Sequence, residues 1–512
     1  MKSSKINRKS SYLYRLIFSY LFVLLDIVKG LVLIPLYLNS FSLDLYGAWV
    51  ASGQIVAYLG MLDLGLSDVI NQKVANSYGN GSYKRVASFS TAGVLIGVCL
   101  SILIGLSGFI ISDWIPNFID VEKTYYSILK PAIKLQVVAT SVRLCGFFLS
   151  SVILALQRTL ANVITNFFSY LIGIGITIYG IYNGWGLLSI PIGYLTYSII
   201  FLIVVSFFLI YYWYKDVGLL PKINYKELKS LGSLSGFVFL GKIGNNLIKR
   251  SDAIIISKVM GSRFTSIYNV NSQISNQAKV VPQKIAALII PSLSHFVGER
   301  GVDEKSKQIS LDVLSISIGI ASSLTAGIIA LNKAFIFLWV GNELFYGISL
   351  IIGVSLYMFL EVGRDAASNL LFSIGEIKIP SILTLVEAFI KVIFMILGVK
   401  WLGLLGAPIG AIISLLLVNG VYLIRIYIKE FMISGSEIKD RTTQFIIAPL
   451  VIFGIGIFWY FVFFPKTWIS FILNIMVLGI IIICILLNFY QNIFFVTKEY
   501  FKSFVSQIRR DF

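Results

Sequence analysis

The chain has 512 residues, 57% of them hydrophobic and only 13% charged, with a net charge of +18. A soluble protein of this length needs far more charge to cover its surface, which excludes a water-soluble enzyme or binding module. The basic excess does not mark a nucleic-acid binder either, because most basic residues sit in short breaks between apolar runs, where membrane topology places them.

A bilayer-crossing helix needs about 20 mostly apolar residues. Continuous rather than alternating apolar runs select helices over a barrel. Taken in chain order, such runs fall at 13–38, 45–66, 86–112, 125–155, 160–183, 187–213 and 233–259. They continue at 264–295, 310–331, 343–373, 379–398, 402–427, 445–464 and 468–490, which makes about 14 spans. Met1 to Arg15 is basic, and the run after it carries Asp26 and Lys29 and is too long for a signal-peptide core, so it reads as a retained first helix. Pro131, Pro282 and Pro291 are expected kink points in the two longest spans. Cys99, Cys145 and Cys484 all lie in apolar runs and form no disulfide or metal framework, and His295 reads as a helix-end residue.

Charge fixes the expected orientation. With a cytoplasmic N-terminus, the inside breaks and tails hold 25 basic residues, and the outside breaks hold 5: Lys123, Arg263, Lys333, Lys400 and Lys466. Both termini are therefore expected in the cytoplasm, with an even number of spans. No break is long enough to hide a soluble domain; the longest outside one is about 113–124.

The other 12 basic residues fall inside spans. A charge at a helix centre costs roughly 2.5–3.5 kcal/mol on insertion scales. Lys130, Lys258, Lys279 and Lys284 lie near span ends, where their stems reach the interface. Lys29, Arg143, Lys242, Lys249, Arg250 and Arg364 lie deeper. In the seventh span, Lys242, Asn245, Asn246 and Lys249 share one helical face. Asn269, Gln273, Asn276 and Gln277 form a second polar face, and Tyr357, Glu361, Arg364, Asp365 and Ser368 a third. Asp26 precedes Lys29 by three residues and Glu387 precedes Lys391 by four, both ion-pair spacings.

Two readings stay open for these groups. They are buried ion pairs holding the bundle together, or they line a water-filled cavity. On the seventh span the cations, with Arg250, outnumber the one local acid, Asp252. Surplus positive charge facing a cavity implies an anionic visitor, a phosphate or an acidic sugar. Glu361 and Asp365, one turn apart beside Arg364, are either a proton or sodium site or the counter-ions of Arg364.

The stretch Leu45-Tyr46-Gly47-Ala48-Trp49, with Tyr58-Leu59-Gly60-Met61-Leu62-Asp63-Leu64-Gly65-Leu66, resembles the second helix of the polysaccharide transporters. These are the lipid-linked oligosaccharide flippases of the multidrug/oligosaccharidyl-lipid/polysaccharide exporter superfamily. Asp252 with Ile254-Ile255-Ile256, then Gly261 and Tyr268, is similar to that family's seventh-to-eighth helix region. An internal echo accompanies it: Trp49, Gln54 and Ile55 match Tyr268, Gln273 and Ile274 at a constant offset of 219.

The resemblance implies an all-α integral membrane fold of two six-helix lobes around a central cavity, with an extra C-terminal helix pair. The expected lobes are 1–215 and 216–430, with 431–512 as the added pair and tail. It implies an undecaprenyl-pyrophosphate-linked oligosaccharide as substrate, moved from the inner to the outer leaflet of a bacterial cytoplasmic membrane by alternating access. The pyrophosphate would be met by Lys242, Lys249, Arg250 and Arg143, with Lys29 and Arg364 next, and the sugars by Asn245, Asn246, Asn269, Gln273 and Tyr357. Asp26, Asp252, Glu361 and Asp365 are candidates for coupling to a Na+ or H+ gradient; no cofactor or metal is implied. Expected partners are the lipid-linked glycan, membrane lipids and a polysaccharide polymerase, and not nucleic acid. Surface-polysaccharide biosynthesis of the O-antigen, lipopolysaccharide or capsule type is the expected process.

A lipid II-type cell-wall precursor flippase and a cation-coupled multidrug exporter share this fold. A multidrug exporter of cationic drugs wants carboxylates in its cavity, against the basic excess seen here. A membrane-embedded polymerase is the reading from another class. It would need an outside loop bearing catalytic groups, and Asp113, Asp120 and Glu122 in the longest break read as solvated acids.

Overall fold

The computed structural model describes residues 8–60, 63, 65–220 and 225–490, with side chains described except at 8–17, 19, 20, 23, 225–242, 285–292 and 295. His295 and Lys242 thus lie on described helices, with their side chains outside the described residues. Among the described residues every regular element is a helix. The chain divides into two compact units, Met1–Ser266 and Ile267–Phe512.

The first unit begins with α1 (Arg8–Ser40), followed by α2 (Leu43–Leu59) and α3 (Leu66–Gly79). Ser42 caps α2 by accepting from the Leu45 amide at 3.2 Å, and Asp44 in the first turn suits the positive end of the helix dipole. The span expected at 45–66 is broken. Asp63, buried at the break, accepts from the Gly65 amide at 3.1 Å and from the Ser67 hydroxyl at 2.7 Å. Gly65 takes the left-handed conformation (φ 72°) that lets the chain turn there, and α3 then carries the helix on to Gly79. The unit continues through α4 (Tyr83–Ile111), the short α5 (Ile115–Phe118), α6 (Tyr126–Ala155), α7 (Thr159–Tyr182), α8 (Ser189–Tyr212) and α9 (Tyr225–Met260). Helix α6 runs unbroken through Pro131. It packs on α2, α3, α4 and α8, α7 lies between α1 and α8, and α9 packs on α2, α3 and α4.

Helix α10 (Ser262–Ala278) leads into the second unit, and α11 (Val280–Arg300) follows. The span expected at 264–295 is therefore two helices, parting at Lys279. Pro282 explains the place of the break: it lacks the amide that would bond four residues back, and its ring crowds that carbonyl. The unit is completed by α12 (Glu304–Val340), α13 (Ile348–Ser373), α14 (Lys378–Leu402), α15 (Gly406–Leu415), α16 (Ile424–Glu430), α17 (Gly435–Asp440), α18 (Ala448–Val462) and α19 (Trp468–Phe489). A π-helical stretch, Leu416–Leu423, joins α15 to α16, so the two form one continuous rod. Each of the fourteen spans read from the sequence has its helical rod, and the protein is an all-helical membrane protein. By length and apolarity alone, eight described helical stretches qualify as spans, and the one over Lys378–Glu430 holds two rods.

Without a hydrophobic force between helices in lipid, close packing of small residues does the work. One very tight case is α14 against α15, where a Cβ on Gly406 would sit 1.9 Å from the carbonyl carbon of Gly398. That neighbour is backbone and cannot rotate away. Gly406→Val is expected to lower stability by about 1–3 kcal/mol or more, read as a drop in the melting temperature of the detergent-purified protein.

The added pair α18–α19 is tied to α12 through α17, which lies outside the membrane-spanning helices. Lys307 bridges Glu304 and Glu437, each at 2.7 Å, and Arg441 pairs with Asp312 at 2.7 Å. Ser434 and Glu437 also form a capping box on α17. The Lys307 ammonium and the Ser434 amide and hydroxyl hold the Glu437 carboxyl down, at about 2 against an ordinary 4.5. A depressed carboxyl stabilises the fold above its unfolded value, and that stabilisation is lost as pH falls toward the folded one. Amide protection over 434–440, taken relative to the intrinsic exchange rate at each pH, should therefore hold down to pH 4.5 and fall between pH 4.5 and about 2, and Glu437→Gln should flatten that step.

Candidate functional site

Membrane-embedded charges fall into two groups with different partners. The first group lies in the first unit. Arg143 on α6 donates from Nη2 to Asn166 Oδ1 on α7 at 2.8 Å. The Tyr197 hydroxyl on α8 donates to the same oxygen at 2.6 Å. The guanidinium carbon of Arg143 lies 3.8 Å from the Phe201 ring centre and 4.6 Å from that of Tyr197, so it is stacked on aromatic faces. Arg250 on α9 donates from Nη1 to Gln54 Oε1 on α2 at 3.0 Å. Tyr194 lies within electrostatic reach of both arginines, which joins the two into one neighbourhood.

Both arginines are held by carboxamide oxygens, which carry no charge. Among the described residues neither makes an ion pair. Each also keeps a buried nitrogen with no hydrogen-bond partner among the described residues, Nη1 of Arg143 and Nε of Arg250. A buried donor left unmade costs about 1–3 kcal/mol, so these are sites where a ligand acceptor is worth most.

Neighbouring groups are placed as follows. Lys29 on α1 donates to the Tyr170 hydroxyl at 2.6 Å and lies 3.5 Å from Asp26, and that hydroxyl donates to Asp26. The expected Asp26–Lys29 pair is present, with a tyrosine inserted into it. The Tyr170 and Tyr197 rings meet edge-on at 5.3 Å, which connects this group to Arg143. On α9, Asn245 and Lys249 are exposed while Gly244 and Ile248 are buried, so the polar face stands on the surface of the unit. The Asn246 carbonyl accepts from Tyr58 at 3.4 Å, and Asp252 is half-buried.

The second group is in the second unit and is electrically balanced. Arg364 on α13 donates to Glu387 on α14 at 2.7 Å and twice to Asp365, at 2.7 and 2.9 Å, with Glu361 at 3.6 Å. Lys279 pairs with Glu361 at 2.8 Å, and Gln283 donates to Asp365 at 2.7 Å. Asn419, in the π-helical stretch, donates to the other oxygen of Glu387. The Lys391 ammonium lies 5.0 Å over the Tyr357 ring. Glu361 and Lys391 are each 1% exposed and Glu387 0%. Three acids thus face three bases. The Arg364 charge is committed to its own unit, and Tyr357 is buried beneath Lys391. Asn269 and Gln273 on α10 are half-buried.

Sequence reasoning found the cations and missed most of what holds them. Asn166, Tyr170, Tyr194 and Tyr197 lie in apolar runs with no polar periodicity. Gln54 stood out only through the internal echo. Lys279 was assigned to a snorkelling position from its place near a span end; the helix break at that residue turns it inward to Glu361 instead.

A family model described as polysaccharide biosynthesis protein matches residues 55–345, more than half of the chain. This bears out the family reading made from the second-helix and seventh-helix motifs. No curated protein matches by sequence. Among solved structures, the lipid II flippase MurJ in an inward closed conformation is similar at a TM-score of 0.67 and 15% identity, covering 94% of this chain and 100% of that one. A multidrug resistance MATE family transporter of the MOP superfamily, inward-facing, gives 0.64 and 16%, covering 80% and 99%. The Vibrio cholerae MATE transporter VcmN in its bent form gives 0.56 and 13%, covering 86% and 99%. At these identities the likeness carries the fold alone.

The two charge groups should respond differently to loss of their arginine. Arg364→Leu strands Glu387 as a buried carboxylate, with Asp365 half-buried beside it, and is expected to cost about 3–5 kcal/mol. Arg143→Leu strands only a neutral amide and a hydroxyl and is expected to cost distinctly less. Melting temperatures of the two purified variants check the ordering, and equal losses would refute it.

Proposed function

The chain belongs to the polysaccharide biosynthesis protein family, and on that premise we propose that it is a flippase for an undecaprenyl-diphosphate-linked oligosaccharide. The substrate moves from the cytoplasmic to the outer leaflet of a bacterial cytoplasmic membrane, for surface polysaccharide of the O-antigen or capsule type. In this reading both termini are cytoplasmic and the expected halves, 1–215 and 216–430, rock in alternating access.

The observation that carries the reading is the pair of arginines, Arg143 and Arg250, held by amides and making no ion pair among the described residues. A diphosphate brings the negative charge they lack, and guanidinium N–H groups match phosphate oxygens in geometry. Lys249, exposed on α9, extends the positive surface, and Lys242 lies on the same helix. Asn245, Asn246 and the tyrosines near Arg143 offer amide, hydroxyl and ring contacts to sugars, while the lipid tail stays in the bilayer. Asn269 and Gln273 are further sugar contacts in this reading. A sodium or proton gradient drives the cycle, through Asp26, Asp252, Glu361 or Asp365, and a polysaccharide polymerase is the partner that takes the product. The protein acts as a transporter, not an enzyme.

A lipid II-type precursor is the second reading, favoured by the MurJ likeness over 94% of the chain. It uses the same diphosphate chemistry. A multidrug exporter of cations is disfavoured, because Arg143 and Arg250, the membrane-embedded arginines of the first unit that make no ion pair among the described residues, are positive.

Arg143→Gln and Arg250→Gln, which remove charge and keep a polar side chain, should each cut translocation of a fluorescent lipid-linked oligosaccharide in proteoliposomes by about tenfold or more, equivalent to roughly 1.4 kcal/mol. Their melting temperatures should stay near that of the unaltered protein. Unchanged translocation in both variants would refute the assignment.

A further inference from the structure

Three arginines in this protein form ion pairs among the described residues. Arg158 is clasped by Asp216 at 2.7 and 2.8 Å, Arg441 by Asp312 at 2.7 Å, and Arg364 by Asp365 and Glu387 at 2.7 Å. Arg441 also reaches the amides of Gln444 and Gln308, at 3.0 and 3.4 Å, but beside its carboxylate; Arg143 and Arg250, on two different helices, are each held through an amide carbonyl oxygen with no ion pair among the described residues. An amide and a carboxylate of the same residue length have the same shape and the same accepting oxygen. They differ in one charge. The carboxylate would hold the guanidinium more tightly and would also cancel it.

From this contrast we propose that Asn166 and Gln54 are positioning residues that fix Arg143 and Arg250 while leaving their positive charge unspent for an anionic ligand of the diphosphate class. The inference rests on the flippase reading for its ligand and adds a role for two residues outside the cation set. Aromatic rings complete the device. Phe201 and Tyr197 cover the faces of the Arg143 guanidinium, and Tyr197 occupies the second lone pair of Asn166 Oδ1. The guanidinium is thus held on three sides by neutral groups. What remains is the buried Nη1, together with Nε of Arg250, as donors without an acceptor.

A purely mechanical role and a charge-preserving role order the variants differently. Asn166→Asp and Gln54→Glu keep the accepting oxygen, so a mechanical role predicts wild-type behaviour from both. A charge-preserving role predicts melting temperatures equal to or above wild type together with a loss of anion affinity of about tenfold or more. Asn166→Leu removes the anchor without adding charge; it should lower the melting temperature and cost less affinity than Asn166→Asp.

The experiment measures binding of farnesyl diphosphate to the full-length purified protein by titration calorimetry, with melting temperature recorded for each variant. Inorganic pyrophosphate is expected to displace the probe, and farnesol is expected not to bind. Wild-type affinity in both acid variants overturns the inference, as does a larger loss in Asn166→Leu than in Asn166→Asp. Should one acid variant fail to fold, the other position, on a different helix, carries the test. Wild-type affinity in Arg143→Gln and Arg250→Gln instead overturns the flippase site itself. Loss in the arginine variants without loss in the acid variants leaves that site standing and removes only the role given to the amides. Tight binding of farnesol, or no displacement by pyrophosphate, overturns the anion as the group recognised.

Discussion

A guanidinium cannot lose its proton, so an arginine inside a membrane-spanning bundle must have its charge cancelled, solvated or met by a ligand. Most of the architecture described above follows from how that requirement is met. In the second unit it is met internally: Arg364 sits among carboxylates from α13 and α14, and Lys279, Lys391 and Asn419 complete the balance. Three helices and a π-helical stretch are thereby locked to one another. In the first unit the requirement is left open, with amides and aromatic rings in place of acids.

The helix breaks belong to the same logic. A broken helix frees backbone groups, which hydrocarbon cannot satisfy. At 60–65 the buried Asp63 takes up the Gly65 amide and the Ser67 hydroxyl, so the interruption is closed by a side chain three residues into the motif. At Lys279 the interruption is made by Pro282, and the residue at the break becomes a buried partner of Glu361. In both places an irregularity of the backbone brings a charged side chain to where a straight helix would not take it.

This explains what could be read from the chain alone. Apolar runs of the right length announce helices regardless of partners, so all fourteen rods were legible. Polar faces on α9, α10 and α13 were legible because helical spacing is a local property. Partner choice is not local. Arg143 meets Asn166 at a separation of 23 residues and Arg250 meets Gln54 at 196, and no periodicity links them. Glu387 and Lys391 have the spacing of an ion pair, but nothing in that spacing announces that the Glu387 oxygens also reach Arg364 and Asn419 or that the Lys391 ammonium lies over the face of Tyr357. Spacing tells which residues can meet on one helix; packing between helices decides which do.

The balance in the second unit constrains any coupling chemistry there. Glu361 is 1% exposed and already serves Lys279 and lies near Arg364. A sodium ion or proton arriving at its carboxylate adds a positive charge to a set that is neutral, in surroundings where an uncompensated charge is costly. One of the bases must then withdraw. Arg364 is pinned by three acids, and Lys391 is 1% exposed. Lys279 retains 16% side-chain exposure and stands at a helix break, so it is the base with the shortest way out. In the proposed transport cycle, an ion entering at Glu361 would therefore be coupled by charge to movement at the junction of α10 and α11.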